Sequence, residues 1–174
     1  MTERYPRLLR LVHWAMGLLL VMIIGIGLLM NRITPGPMMN QLFDLHRSLG
    51  LIALALILLR AWLRWKGPLP PPAPGMPAAQ QIVVKLVHIG FYGILLGLPI
   101  LGWLGSSAFG APVIFFGLTL PALIAPNPAL AGLLFGLHEI FAYALIGLIV
   151  LHVLGVLYHQ FVLKDGLLHR MGLF

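Results

Sequence analysis

Residues 11–30 read LVHWAMGLLLVMIIGIGLLM, a run with no charged side chain and one histidine, His13, near its start. A helix rising about 1.5 Å per residue needs roughly 20 such residues to cross a hydrocarbon core. The run is therefore read as a membrane span. Imidazole is costly in lipid and marks function by default, so His13 needs an explanation. A second apolar run opens FDLHRSLGLIALAL at residues 43–56, and His46 raises the same question.

Working outward, the whole chain has the same character. Its 174 residues are 60% hydrophobic and 9% charged, with a mean hydropathy of +1.01. That is too little charge to cover a soluble surface. The expectation is an all-α membrane protein, residues 1–174 forming one domain, a four-transmembrane-helix bundle. The first span runs from about Leu8 to Met30 and stops where Pro35 and Pro37 interrupt it. The second covers about Gln41 to Trp65, and a stiff loop, KGPLPPPAPGMPAAQQ, follows. The third covers about Ile82 to Leu104, bent near Pro99. Residues 105–132, GSSAFGAPVIFFGLTLPALIAPNPALAG, carry no charge. They are expected to lie in the outer interface rather than to cross again. The fourth span runs from about Leu130 to Phe161.

The net charge of +7 does not signal nucleic acid, because of where it sits. Arg4, Arg7, Arg10, Arg60, Arg64, Lys66, Lys85, Lys164 and Arg170 fall on one side of the spans, and Arg32 and Arg47 on the other. This positive-inside pattern, with an even number of spans, puts both termini on the cytoplasmic side of the membrane. The N-terminal run is too long for a signal peptide and lacks a small-residue cleavage site, so it is read as a retained helix. The absence of cysteine excludes disulfides, thiolate clusters and haem attached through C-x-x-C-H.

The histidines form a set. His138 and His152 share the fourth span, fourteen residues apart, which is roughly 21 Å along the axis and within about 40° of one face. One helix thus offers an imidazole at each of two depths. His46 enters the second span at the height of His138, and His13 enters the first at the height of His152. Facing histidines on neighbouring helices are the axial pair of a b-type haem, so two haem b groups are expected between the helices. A lone intramembrane histidine is commonly an interhelical hydrogen bonder. Four in two depth-matched pairs, with no carboxylate deep in a span, favour haem over a proton pathway. Two-histidine sites also fall short of zinc's usual four ligands.

Gly17 and Gly50 each follow a proposed ligand by four residues, and Gly147 and Gly155 bracket His152. They leave room for a flat macrocycle or simply allow close helix packing. By spacing alone His88 is an equal partner for His152. His88, His159 and Lys85 are also candidates to line a cytoplasmic-side quinone pocket, or to form a snorkelling interfacial cluster. Arg10 and Arg47, close to the ligands, are candidates to pair with haem propionates.

The stretches RYPRLLRLVHW, FDLHRSLGL, FFGLTLP, LHEI, LHVLGVLYHQF and KDGLLHRM together resemble the bacterial cytochrome b-561 family of small di-haem inner-membrane proteins, over nearly the whole chain. The resemblance implies His46 with His138 on an outer haem and His13 with His152 on an inner one. It also implies a superoxide oxidase-like activity, in which superoxide at the periplasmic face gives up electrons that reach ubiquinone through both haems. The chain is similar as well to the cytochrome b subunits that anchor hydrogenases and formate dehydrogenases. That implies the alternative, a membrane anchor relaying electrons from a partner enzyme to quinone.

Overall fold

The computed structural model describes residues 4–30, 32–71 and 76–172; the middle of the proline-rich loop, residues 72–75, lies outside them. Four long helices carry the fold: α1 (Arg7–Met30), α2 (Pro37–Lys66), α3 (Ala78–Phe109) and α4 (Pro128–Tyr158). All four are long and apolar enough to cross a membrane. Many of their large apolar side chains, among them Leu18, Val21, Leu133 and Ile140, are exposed. Such surface is stable against lipid rather than water.

The bounds differ from the expected ones for identifiable reasons. Pro37 opens α2 instead of ending a helix, since a first-turn proline loses no hydrogen bond and has the right φ. α3 runs straight past Leu104 to Phe109, with Pro99 inside it, and ends where Gly110 takes a left-handed φ of 81°. Its N–H then satisfies the carbonyls of Ser106 and Ser107. The Asn127 side chain caps α4 by accepting from Leu130 N–H at 3.1 Å.

Between α3 and α4 the uncharged segment folds as a β-hairpin, β1 (Val113–Phe115) against β2 (Leu118–Leu120). Its two-residue turn has positive φ at Phe116 (46°) and Gly117 (91°), the combination that matches the twist of paired strands. The hairpin is pinned to α2 by one side chain. Ser48 Oγ lies 3.0 Å from Ile114 O and accepts from Phe116 N–H, also at 3.0 Å.

The opposite end carries both termini. Tyr5 N–H donates to Arg170 O at 3.1 Å. α4 continues into a π-helical turn, His159–Leu163, and then a short helix, α5 (Leu167–Met171). Trp14 Nε1 donates to Met171 O and Arg10 Nη1 to Gly172 O, while Arg170 Nη1 reaches Pro71 O. The C-terminus is thus tied across α1 and the α2–α3 loop.

The helices do not pack evenly. α3 lies closest to α4, α1 packs on α2 and α2 on α3. Two glycines explain the tightest pair. A Cβ on Gly105 would meet the Phe135 ring at 2.9 Å, and one on Gly90 would meet Leu148 at 3.1 Å. Val12, Met16, Ile57, Leu95, Leu98 and Leu145 form the central core. By contrast, the backbone of α4 makes only sparse approach to α1 and α2. On those two sides the histidines of α1 and α2 face those of α4.

Candidate cofactor sites between the helices

At the hairpin end, His46 of α2 and His138 of α4 face each other with ring centroids 6.1 Å apart and planes at 67°. His138 Nδ1 lies 3.0 Å from Leu98 O on α3. Donating its Nδ1–H to that carbonyl fixes the tautomer and leaves the Nε2 lone pair free for a metal. His46 Nδ1 is buried with no hydrogen-bond partner. Two glycines on other helices shape the pair: a Cβ on Gly27 of α1 would sit 3.2 Å from His46 Cε1, and one on Gly102 of α3 would sit 3.4 Å from His138 Cε1.

At the terminal end, His13 of α1 and His152 of α4 are again 6.1 Å apart, with planes at 74°. His88 of α3 stands 6.0 Å from His152, and Phe91 closes the cluster at 5.6 Å. Centroid distance therefore does not choose between His13 and His88. His88 Nδ1 lies 2.6 Å from Val84 O one turn earlier on its own helix, a contact that leaves its Nε2 free just as the Leu98 carbonyl does for His138.

An imidazole nitrogen binds a first-row metal at about 2 Å. With the ring centre about 1 Å further back, two rings clasping one metal have centroids roughly 6 Å apart. His46–His138, His13–His152 and His88–His152 all have that separation. Gly17, Gly50, Gly147 and Gly155, the glycines near the candidate ligands, all face open space where a Cβ would point. Among the described residues no group of three or more His, Cys, Asp or Glu converges as a metal cage. A metal held here by two protein ligands would take its remaining ones from a macrocycle, and the open space at the neighbouring glycines suits a flat one. The residues fit a b-type haem at each pair.

The other sequence candidates have definite surroundings. Arg47 is paired with Asp44 at 3.0 Å and lies over the Phe43 ring at 5.6 Å, so its charge is already answered. Arg10 gives Nη1 to the C-terminal backbone, while its Nε is buried without a partner. Lys85 is exposed. His159 is 5% exposed and lies between Asp165 and Gln80: Nδ1 is 2.5 Å from Asp165 Oδ2 and Nε2 is 2.8 Å from Gln80 Nε2. Burial alone would raise the Asp165 carboxyl, but hydrogen bonds from His159 and from Leu167 N–H outweigh it and lower its pKa.

Sequence reasoning missed Gly27, Gly102, Gln80 and Asp165. The two glycines look like any packing glycine in a span, and their role depends on which helix faces them. Asp165 carried one usable signal, being the only acidic residue in the chain's last thirty.

Comparison with known proteins gives a consistent result. The family model for prokaryotic cytochrome b561 matches residues 4–172. Cytochrome b561 homolog 2 of Escherichia coli is 29% identical over 171 residues, covering 97% of this chain and 91% of the relative. The probable superoxide oxidase CybB of Yersinia pestis is 32% identical over 174 residues, covering 98% and 97%.

Proposed function

The chain belongs to the prokaryotic cytochrome b561 family of membrane electron-transfer proteins, and from that premise we propose that it carries two b haems and passes electrons from superoxide to ubiquinone. His46 and His138 are the axial ligands at the hairpin end, and His13 and His152 those at the terminal end. The hairpin end faces the periplasm and both termini face the cytoplasm, as the distribution of Lys and Arg indicates.

The observation that carries this reading is the pair of opposed histidine couples, each 6.1 Å between ring centres, sharing α4. Each haem supplies a one-electron couple when bound. The chain's residues do the rest. Leu98 O orients His138, and the apolar helix faces keep water from the wire. Two superoxide anions lose one electron each to become dioxygen. One ubiquinone gains both electrons, with two protons from the cytoplasmic side, to become ubiquinol. His159 and Asp165, hydrogen-bonded at that side, are placed to hold a proton near the quinone, with His88 and Lys85 on the facing stretch of α3. The relative whose name states superoxide oxidase is 32% identical, and the assignment of that substrate rests on it.

One feature favours a second reading. Phe109, Phe116, Leu118 and Leu123 are exposed at the hairpin end, an apolar rim on which a partner dehydrogenase would dock. The purified chain distinguishes the two. A reduced-minus-oxidised spectrum with two b haems per chain, followed by superoxide-driven ubiquinone reduction without other proteins, is the expected result. Two haems that stay inert to superoxide would move the assignment to the partner-dependent relay, and a colourless preparation would remove both readings.

A further inference from the structure

Arg60 of α2 is buried at 8% exposure, although it sits inside a membrane span. It lies six residues from the terminal end of its helix (60 to 66), just as His13 does on α1 (7 to 13) and His152 on α4 (152 to 158). All three occupy one layer. Arg60 is within Coulombic range of His13, His88 and His152. Its guanidinium comes within reach of the buried Tyr92 hydroxyl on α3, a neutral neighbour, although neither Nη1 nor that oxygen meets full hydrogen-bond geometry. Among the described residues the ion pairs are Arg47–Asp44 and His159–Asp165, neither involving Arg60. Arg64, one turn on, adds like charge.

A guanidinium stays charged at any working pH, and burying it without a carboxylate is expensive. Such a charge inside a span is retained for what it does to its neighbours. The hairpin end has one counterpart, Arg47, which lies within Coulombic range of His46 but is more exposed and carries its own counter-ion. Arg47, near His46, is neutralised by Asp44, and Glu139 adjoins His138 in sequence with no basic partner among the described ion pairs. One histidine couple therefore has a buried cation without a carboxylate beside it, and the other has a cation paired with Asp44.

We propose that Arg60 is a positioning residue for the electron: its fixed charge makes the metal at the terminal-end histidines the more easily reduced of the two, so that electrons entering at the hairpin end come to rest there. The inference rests on the di-haem reading. The transfer oxidises one iron from ferrous to ferric and reduces the other from ferric to ferrous, with no bond or proton moved. A positive charge stabilises whichever nearby site gains the electron, and its influence falls with distance. The hairpin-end couple, roughly 21 Å away along α4, feels it least.

The test is a potentiometric titration of the purified, haem-loaded full chain as wild type, R60Q and R60K. H152A identifies the terminal-end haem by its loss. The wild type should show the terminal-end haem at the higher potential. R60Q should lower that potential and leave the other unmoved, while R60K stays close to the wild type. Equal shifts at both haems, no shift in an R60Q protein that keeps two haems, or an R60K shift as large as that of R60Q would overturn the proposal. Loss of the terminal-end haem from R60Q would make Arg60 an anchor for a porphyrin carboxylate and equally overturn it. A wild type with fewer than two b haems would defeat the di-haem reading itself, a different outcome from two haems indifferent to Arg60.

Discussion

Gly27 of α1 backs onto the imidazole of His46 on α2 so closely that a first side-chain carbon there would lie 3.2 Å from Cε1. The distance is tighter than ordinary van der Waals contact, and the ring is held from behind by the absence of a side chain. Gly27→Leu should therefore rotate His46 out of line with His138. The expected outcome is loss of the hairpin-end haem alone, reducing the pyridine-haemochrome ratio to roughly half. Retention of both haems would mean that the ring has freedom its surroundings do not indicate.

The terminal-end couple offers a choice between two rings at nearly equal distance from His152. His13→Ala is expected to remove one haem, whereas His88→Ala should leave two with an unchanged low-spin spectrum. His152→Ala and His138→Ala should each remove a different haem. The reverse result for His13 and His88 would assign the ligand to α3.

Ser48 is 2% exposed, and its one hydroxyl accepts from Phe116 N–H in the hairpin turn while its proton is shared between Asp44 O and Ile114 O of β1. Ser48→Ala strands Phe116 N–H and Ile114 O, a penalty of about 1–3 kcal/mol if they stay buried. Amide exchange in residues 113–120 should accelerate by roughly one to two powers of ten, as that penalty implies, while haem content stays intact. Unchanged exchange would show that the hairpin holds by its own pairing.

The Asp165–His159 contact makes a statement about pH. Because hydrogen bonding lowers the Asp165 pKa from 3.8, folding binds fewer protons than unfolding at that carboxyl. The stability it contributes is present above the unfolded value and is lost as pH falls through the folded one. Limited proteolysis of the C-terminal segment in detergent should rise as pH drops below about 3.8, and Asp165→Asn should abolish that dependence. A C-terminus equally resistant on both sides of that pH would contradict it.

Much of the fold was legible because its determinants are local. Hydropathy and helical period place four spans, and fourteen residues on one helix set His138 and His152 at two heights on one face. The exceptions were also local but ambiguous: Pro37 can end or begin a helix, and Gly110, not the expected limit at Leu104, decides where α3 stops. The charge-free stretch gave no sign of its hairpin, since Phe116 takes a positive φ that its type disfavours.

What the sequence by itself determined is the number of spans and the spacing of the histidines along them, since these follow from helix rise, side-chain period and the transfer cost of charge. Only the tertiary structure decided which faces meet. Gly90 and Gly105 draw α3 onto α4, the histidines of α1 and α2 meet those of α4, and Arg60 comes within reach of three imidazoles. Those outcomes depend on side chains from separate helices excluding or admitting one another, and no spacing along a single helix encodes that.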